Sequence, residues 1–162
     1  MDFSTERINN VLQDAAYLTD EAEALKYVIS AIPVNEKPPG GASVFEMLAI
    51  IDHAQISYYR PLIEQILVKP GSSTNVQHFE KTFDPEKYEA GNTDKLLGKM
   101  SKNRVSFITY LKKMPVSDLQ KKGEVNGSTR SCAQLLEEMT QFERQQLRKI
   151  ADRVLSIDKK KT

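Results

Sequence analysis

The chain has no tryptophan, one cysteine and two histidines in 162 residues. The single cysteine, Cys132, excludes an internal disulfide framework. The histidines, His53 and His78, form no H-x-x-x-H pair, so the commonest transition-metal ligands are scarce. No stretch approaches the roughly 20 apolar residues that span a bilayer, which predicts no membrane association. The segment Met1 to Glu6 has neither the basic region nor the apolar core of a signal peptide, and a cytoplasmic protein is expected. Net charge is also missing. Twenty-three basic and 22 acidic residues leave +1, without the basic stripe that nucleic-acid binding requires. Lys159-Lys160-Lys161 is the only like-charge run, and residues 158–162 read as a disordered, solvated tail.

What remains is an ordinary soluble composition, 28% charged and 40% hydrophobic, in a length that suits one domain over residues 1–157. Such a chain typically buries roughly 70% of its unfolded surface and needs no staple. Four long segments carry helical periodicity. The first runs from about Ser4 to Ile32 on Ile8, Val11, Leu12, Ala15, Leu18, Ala22, Leu25 and Ile29, and Pro33 ends it. Pro38-Pro39-Gly40-Gly41 breaks the chain, and Ser43 with Glu46 forms a capping-box pattern that opens a second helix reaching about Val68. A third spans about Thr93 to Met114. A fourth starts at Ser131, with Gln134 completing a second capping box, and runs to about Ile157. The connection 69–92 is long for a compact domain. Within it Asp84-Pro85-Glu86-Lys87 predicts a short helical turn capped by Asp84, and Phe79, Phe83 and Tyr88 predict that it packs back on the body. The pair Asn126-Gly127 marks a turn, with a short extended piece near Glu124 and Val125. The architecture expected is all-α, an up-and-down four-helix bundle.

The order of several fragments resembles the DinB/YfiT-like superfamily. The second helix carries Ile50-Ile51-Asp52-His53-Ala54-Gln55 where the family resembles H-L-x-D-A-E. The third carries Asn103-Arg104-Val105-Ser106-Phe107-Ile108, then Leu111-Lys112-Lys113-Met114-Pro115 and Asp118-Leu119. The fourth carries Phe142-Glu143-Arg144-Gln145-Gln146-Leu147-Arg148-Lys149-Ile150 where the family resembles H-D-x-x-H-x-x-Q-I. The resemblance implies a four-helix bundle, usually a bacterial homodimer. Members that are enzymes resemble thiol-dependent S-transferases or metal-dependent hydrolases, with a divalent metal on one histidine of the second helix and an H-x-x-x-H pair of the fourth. Residues four apart share a helical face, so two imidazoles converge on one ion.

Here those three positions read Ile50, Phe142 and Gln146. Isoleucine and phenylalanine cannot ligate a metal, and glutamine is a poor ligand. The expectation is therefore no cofactor and no catalytic residue, with nickel or zinc on an altered site of His53, Glu143 and Gln146 as the alternative. His53 shares a polar face with Glu46, Ser57, Arg60 and Glu64 and reads first as solvated or salt-bridged. His78 reads as a surface residue. Cys132, in the first turn of the fourth helix, reads as packed, with a reactive thiolate as the sharper alternative. Arg104 lies on the apolar stripe of its helix between Met100 and Phe107, so it needs an acid, Asp52 or Glu143. Asp52, Tyr59, Arg104, Phe142 and Gln146 are the candidate pocket. Two functional readings follow. One is a metal-free bundle that binds a small apolar ligand or a protein partner in a stress or damage response. The other is a metal-dependent transferase or hydrolase with an altered site. A third possibility is a structural homodimer whose surface carries the role.

Overall fold

A computed structural model describes residues 3–30 and 32–161, with side chains through Ile157. The chain forms an all-α four-helix bundle with a small sheet at one end. The first bundle helix is built of α1 (Thr5–Ala16) and α2 (Leu18–Ile29), and the second of α3 (Val44–Ala54) and α4 (Arg60–Val68). The third is α6 (Thr93–Lys112) and the fourth α7 (Cys132–Lys161), with a one-turn α5 (Phe79–Thr82) in the long connection. The backbone of α7 is helical through Lys161. Thr162 and the side chains of 158–161, on which the tail expectation falls, lie outside the described residues.

Both capping boxes form. Ser43 Oγ accepts from Glu46 N at 3.1 Å while the Glu46 carboxylate accepts from Ser43 N. Ser131 and Gln134 exchange the same pair of bonds at 3.0 and 2.8 Å. The turn at Pro85–Lys87 is present, with Asp84 accepting from Glu86 N at 3.0 Å.

Two helices depart from the regular pattern. The first is not continuous to Ile32; it is interrupted at Tyr17, without proline or glycine nearby. The second widens into a π turn over Gln55–Tyr59, closed by Arg60 N donating to Gln55 O. Pro61 accounts for it. Its ring nitrogen cannot donate to the Ser57 carbonyl four residues back, and its ring crowds that carbonyl, so the helix opens by one residue there.

The pairings between helices give their directions. Arg7 meets Glu137 and Asp14 meets Arg144, so the first and fourth helices run parallel. Met47 meets Gln146 and Ile63 meets Cys132, so the second opposes the fourth. Asp52 meets Asn103, Gln55 meets Arg104 and Arg60 lies over Phe107, so the second and third run parallel. The bundle is as expected but its order is up, down, down, up, so the expected up-and-down alternation does not hold, because the second and third helices run parallel. It also explains the long connection. A helical segment from Val44 to Val68 spans roughly 37 Å at about 1.5 Å per residue, and residues 69–92 must travel back along it before a parallel helix can start. They pack as they go: Phe79 is fully buried against Tyr58, Tyr59 and Phe142.

The sequence pattern yielded only the extended piece at 124–125, whereas three strands are present. They are β1 (Ser73–Thr74), β2 (Lys122–Val125) and β3 (Ser128–Ser131) in the order β1-β2-β3. β2 and β3 form a hairpin with Val125 opposite Ser128, and β1 adds in parallel with Ser73 beside Glu124. Asn126 (φ 51°) and Gly127 (φ 83°) supply the positive dihedrals of a two-residue hairpin turn. The Asn126 amide also bonds both backbone groups of Val76, at 2.8 and 2.9 Å. These strands are too short to show alternation by themselves.

Gly123 lies where a Cβ would fall 2.8 Å from Ile66 Cγ1 and 3.0 Å from Ser72 O, whereas one at Gly98 in α6 would meet nothing within 4 Å. Overpacking of this kind costs about 1–3 kcal/mol, and removing a mid-helix glycine gains about 0.5–1 kcal/mol. Urea denaturation of Gly123→Ala and Gly98→Ala should therefore move the midpoint in opposite directions, down for the first and up for the second.

Candidate functional site

Arg104 is the largest buried polar side chain, with 1% of its surface exposed. It reaches all four bundle helices. Nη2 donates to both oxygens of Glu143 on α7 at 2.6 and 2.7 Å. Nη1 donates to the Ala15 carbonyl of α1 at 2.8 Å, and Nε donates to Gln55 Oε1 of the π turn at 2.5 Å. Nη2 also lies 3.8 Å from Met139 Sδ. Of the two acids foreseen for Arg104, it takes Glu143. Gln55 and the Ala15 carbonyl are the partners that periodicity missed. The only sequence signal for the first is Pro61 inside a helix.

Around this pair stand further acids. Asp14 pairs with Arg144 at 2.9 Å. Burial raises the Glu21 carboxyl above its ordinary 4.5, helped by the negative Glu143. Burial also raises Glu143 itself, while Arg104 pulls it back.

Asp52 belongs to a second network. Also 1% exposed, it accepts from the Tyr88 hydroxyl at 3.0 Å and from Asn103 Nδ2 at 3.2 Å, and Lys99 Nζ lies 3.3 Å away. Burial and the adjacent Asp52 carboxylate raise the Tyr88 hydroxyl strongly, so it stays a proton donor.

The other sequence-predicted residues scatter between these networks and an aromatic cluster. Tyr59 is buried against Tyr58 and Phe79. Phe142 packs edge-on against Phe79 with ring centroids 4.6 Å apart. Ile50 and Phe142 both pack on the same apolar cluster, and Gln146 Nε2 donates to the Met47 carbonyl at 3.4 Å. His53 is half-buried rather than freely solvated or salt-bridged. Its Nε2 lies 2.9 Å from Thr82 Oγ1 and its ring packs on Phe83. Burial lowers its pKa, against the pull of Asp52. His78 is exposed and caps α5. Cys132 is buried, its thiol pushed up to about 12 by desolvation, which leaves no thiolate at neutral pH. Arg104 lines two small openings among the described residues, and Asp52, Tyr59, Phe142 and Gln146 line neither. Two other openings lie elsewhere: a groove of about 560 Å³ between α1 and α6, and a cleft of about 280 Å³ beside Tyr88.

The donor set at the resemblance's ligand positions does not fit a metal. Ile50 and Phe142 have no lone pair to give, and the Gln146 amide nitrogen is a donor turned to Met47. Among the described residues no three His, Cys, Asp or Glu side chains gather as a metal group. No helix among them is long and apolar enough to cross a membrane.

No protein-family model and no curated protein matches this sequence. Among solved structures, YfiT from Bacillus subtilis, described as "a probable metal-dependent hydrolase with an unusual four-helix bundle topology", matches with a TM-score of 0.77. The match covers 93% of this chain and 87% of that one at 8% identity. This chain has the YfiT-like four-helix-bundle fold. At that identity the likeness is one of architecture, and the YfiT-like frame here carries its own interior chemistry.

Removing one partner of a buried ion pair costs about 3–5 kcal/mol, because the other charge stays behind uncompensated, whereas apolar replacement of both is often near neutral. Glu143→Leu alone should lower stability by that amount, and Arg104→Met with Glu143→Leu should recover most of it, measured by chemical denaturation. The pH dependence has a defined sign. A raised carboxyl contributes stability that is present below its ordinary value and lost as pH rises through the folded value. Glu21→Gln should therefore leave the melting temperature at pH 7 equal or higher, with the advantage disappearing as pH falls below about 4.5.

Proposed function

We propose that this YfiT-like bundle is a metal-free, non-catalytic module that binds a small ligand or a partner, in a stress or damage response. One observation carries the reading. The positions that the resemblance assigns to a metal are Ile50, Phe142 and Gln146, and Phe79 from the long connection packs on the Phe142 ring. Phe142 and Gln146 keep the four-residue spacing of the pair that the resemblance implies, while their side chains serve packing and a bond to Met47. The homodimer, bacterial source and cytoplasmic location implied by the resemblance belong to the same proposal.

YfiT's description as a metal-dependent hydrolase supplies the competing reading. It would need donors from His53, Glu143 and Gln146. Each of these already has another partner: Thr82 for His53, Arg104 for Glu143 and Met47 for Gln146.

The test is metal content of the purified protein together with thermal melting in nickel, zinc, manganese and calcium. A ligand that binds only the folded state stabilises it by about 2.7 kcal/mol at a hundredfold excess over Kd. The expected outcome is no stoichiometric metal and no shift. A bound metal whose stabilisation is abolished by His53→Ala would overturn the proposal in favour of the altered-site enzyme.

A further inference from the structure

The cleft of about 280 Å³ beside Tyr88 has features that the α1–α6 groove lacks. It is lined by Phe45, Lys87, Tyr88, Glu89, Asn92, Lys95, Leu96 and Lys99. Four of these, Asn92, Lys95, Leu96 and Lys99, follow the steps i, i+3, i+4 and i+7, so they form one face of the first two turns of α6. The facing wall is the turn that ends in Lys87, Tyr88 and Glu89. Phe45 and Leu96 are buried and make an apolar floor. Tyr88 spends its hydroxyl on Asp52, so its ring is what it offers the cleft.

The rim is cationic. Three lysines meet two acids, Glu89 on the rim, held by Lys95 at 3.0 Å, and the buried Asp52 beneath Lys99, which leaves a net positive charge. Lys99 Nζ stands between the buried Asp52, at 3.3 Å, and the Tyr88 ring, whose centroid is 5.3 Å away. Lys87 has no acid within ion-pair distance among the described residues. The positive end of the twenty-residue α6 opens at the same place, capped by Asn92. An apolar floor, a cationic rim and a helix N-terminus together select a particular chemistry. The volume, just under the roughly 300–1,000 Å³ of drug-sized sites, limits the ligand to about one ring.

We propose that this cleft binds a small organic anion, a carboxylate or phosphate on a compact apolar body, with the acid group at Lys87, Lys95 and Lys99 and the body on Phe45, Leu96 and the Tyr88 ring. The inference deepens the small-ligand reading above and rests on it.

Sodium benzoate is the probe, titrated into ¹⁵N-labelled protein in the presence of EDTA, with benzamide as the neutral isostere and inorganic phosphate as the bare anion. The expected result is saturable shifts confined to amides around Phe45, Tyr88 and Leu96, with benzamide at least about tenfold weaker, the factor that a charge-assisted contact supplies. Lys87→Gln with Lys95→Gln, both on exposed side chains, should weaken benzoate by about tenfold or more, while Lys112→Gln in the last turn of α6 should not. Shifts that are absent, or scattered over the surface, overturn the site. Equal binding of benzamide overturns the role of the acid group, and equal binding of phosphate overturns that of the apolar floor. Because EDTA is present throughout, a metal found in the separate melting experiment would defeat the metal-free reading without altering the outcome here.

Discussion

A single guanidinium buried at mid-height organises this bundle. Arg104 is the only side chain that bonds all four bundle helices at once among the described residues, through the Ala15 carbonyl, Gln55, Glu143 and its own position on α6. It lies between two apolar clusters. One contains Ala15, Ala54, Phe107 and Met139, and the other Ala22, Ile51, Met100 and Ile150. On the third and fourth helices the polar layer falls between the two clusters, with Arg104 between Met100 and Phe107 and Glu143 between Met139 and Ile150. Apolar contacts tolerate sliding and rotation, whereas a planar fork bonded to a carboxylate, an amide and a carbonyl does not. The layer therefore sets the relative height of the helices, including the parallel pair whose long connection is otherwise costly to close. A buried ion pair is weak evidence for stability as such. Its part here is to fix register.

The same layer bears on the positions that the resemblance assigns to a metal. Glu143 sits where the resemblance has an acid beside a ligand, and in this chain it is committed to Arg104. Phe142 follows the same helical stripe as Leu135, Met139 and Ile150 and is met by Phe79 from the connection. A fold shared with YfiT at 8% identity does not bring a site with it, which is the general relation between frames and the sites grafted on them.

The parts of the structure legible in the sequence are those with local causes. Ser43 with Glu46 and Ser131 with Gln134 set two helix starts, and Asp84-Pro85 and Asn126-Gly127 set two turns, because each satisfies its backbone groups with neighbours along the chain. Arg104 announced a buried acid partner because an unpaired charge on an apolar stripe is too costly to leave alone. The interruption at Tyr17 had no such signal. Neither did β1 and β3, whose two and four residues pair across 50 or more positions or through a turn and do not alternate in hydropathy. The cleft was equally silent, because Phe45, Lys87 and Lys99 come from three separate stretches that only the packed connection brings together.

Sequence alone determined the helical segments, their caps, the apolar stripes and the side-chain types at the positions that the resemblance assigns to a metal, since periodicity, capping and donor chemistry are properties of residues and their near neighbours. Only the tertiary structure decided the helix directions, the choice of Glu143 over Asp52 as the partner of Arg104, and the filling of the aromatic site by Phe79. Those outcomes depend on which groups meet across the bundle, and a carboxylate on the right stripe can satisfy a guanidinium only if the helices bring it within hydrogen-bond reach.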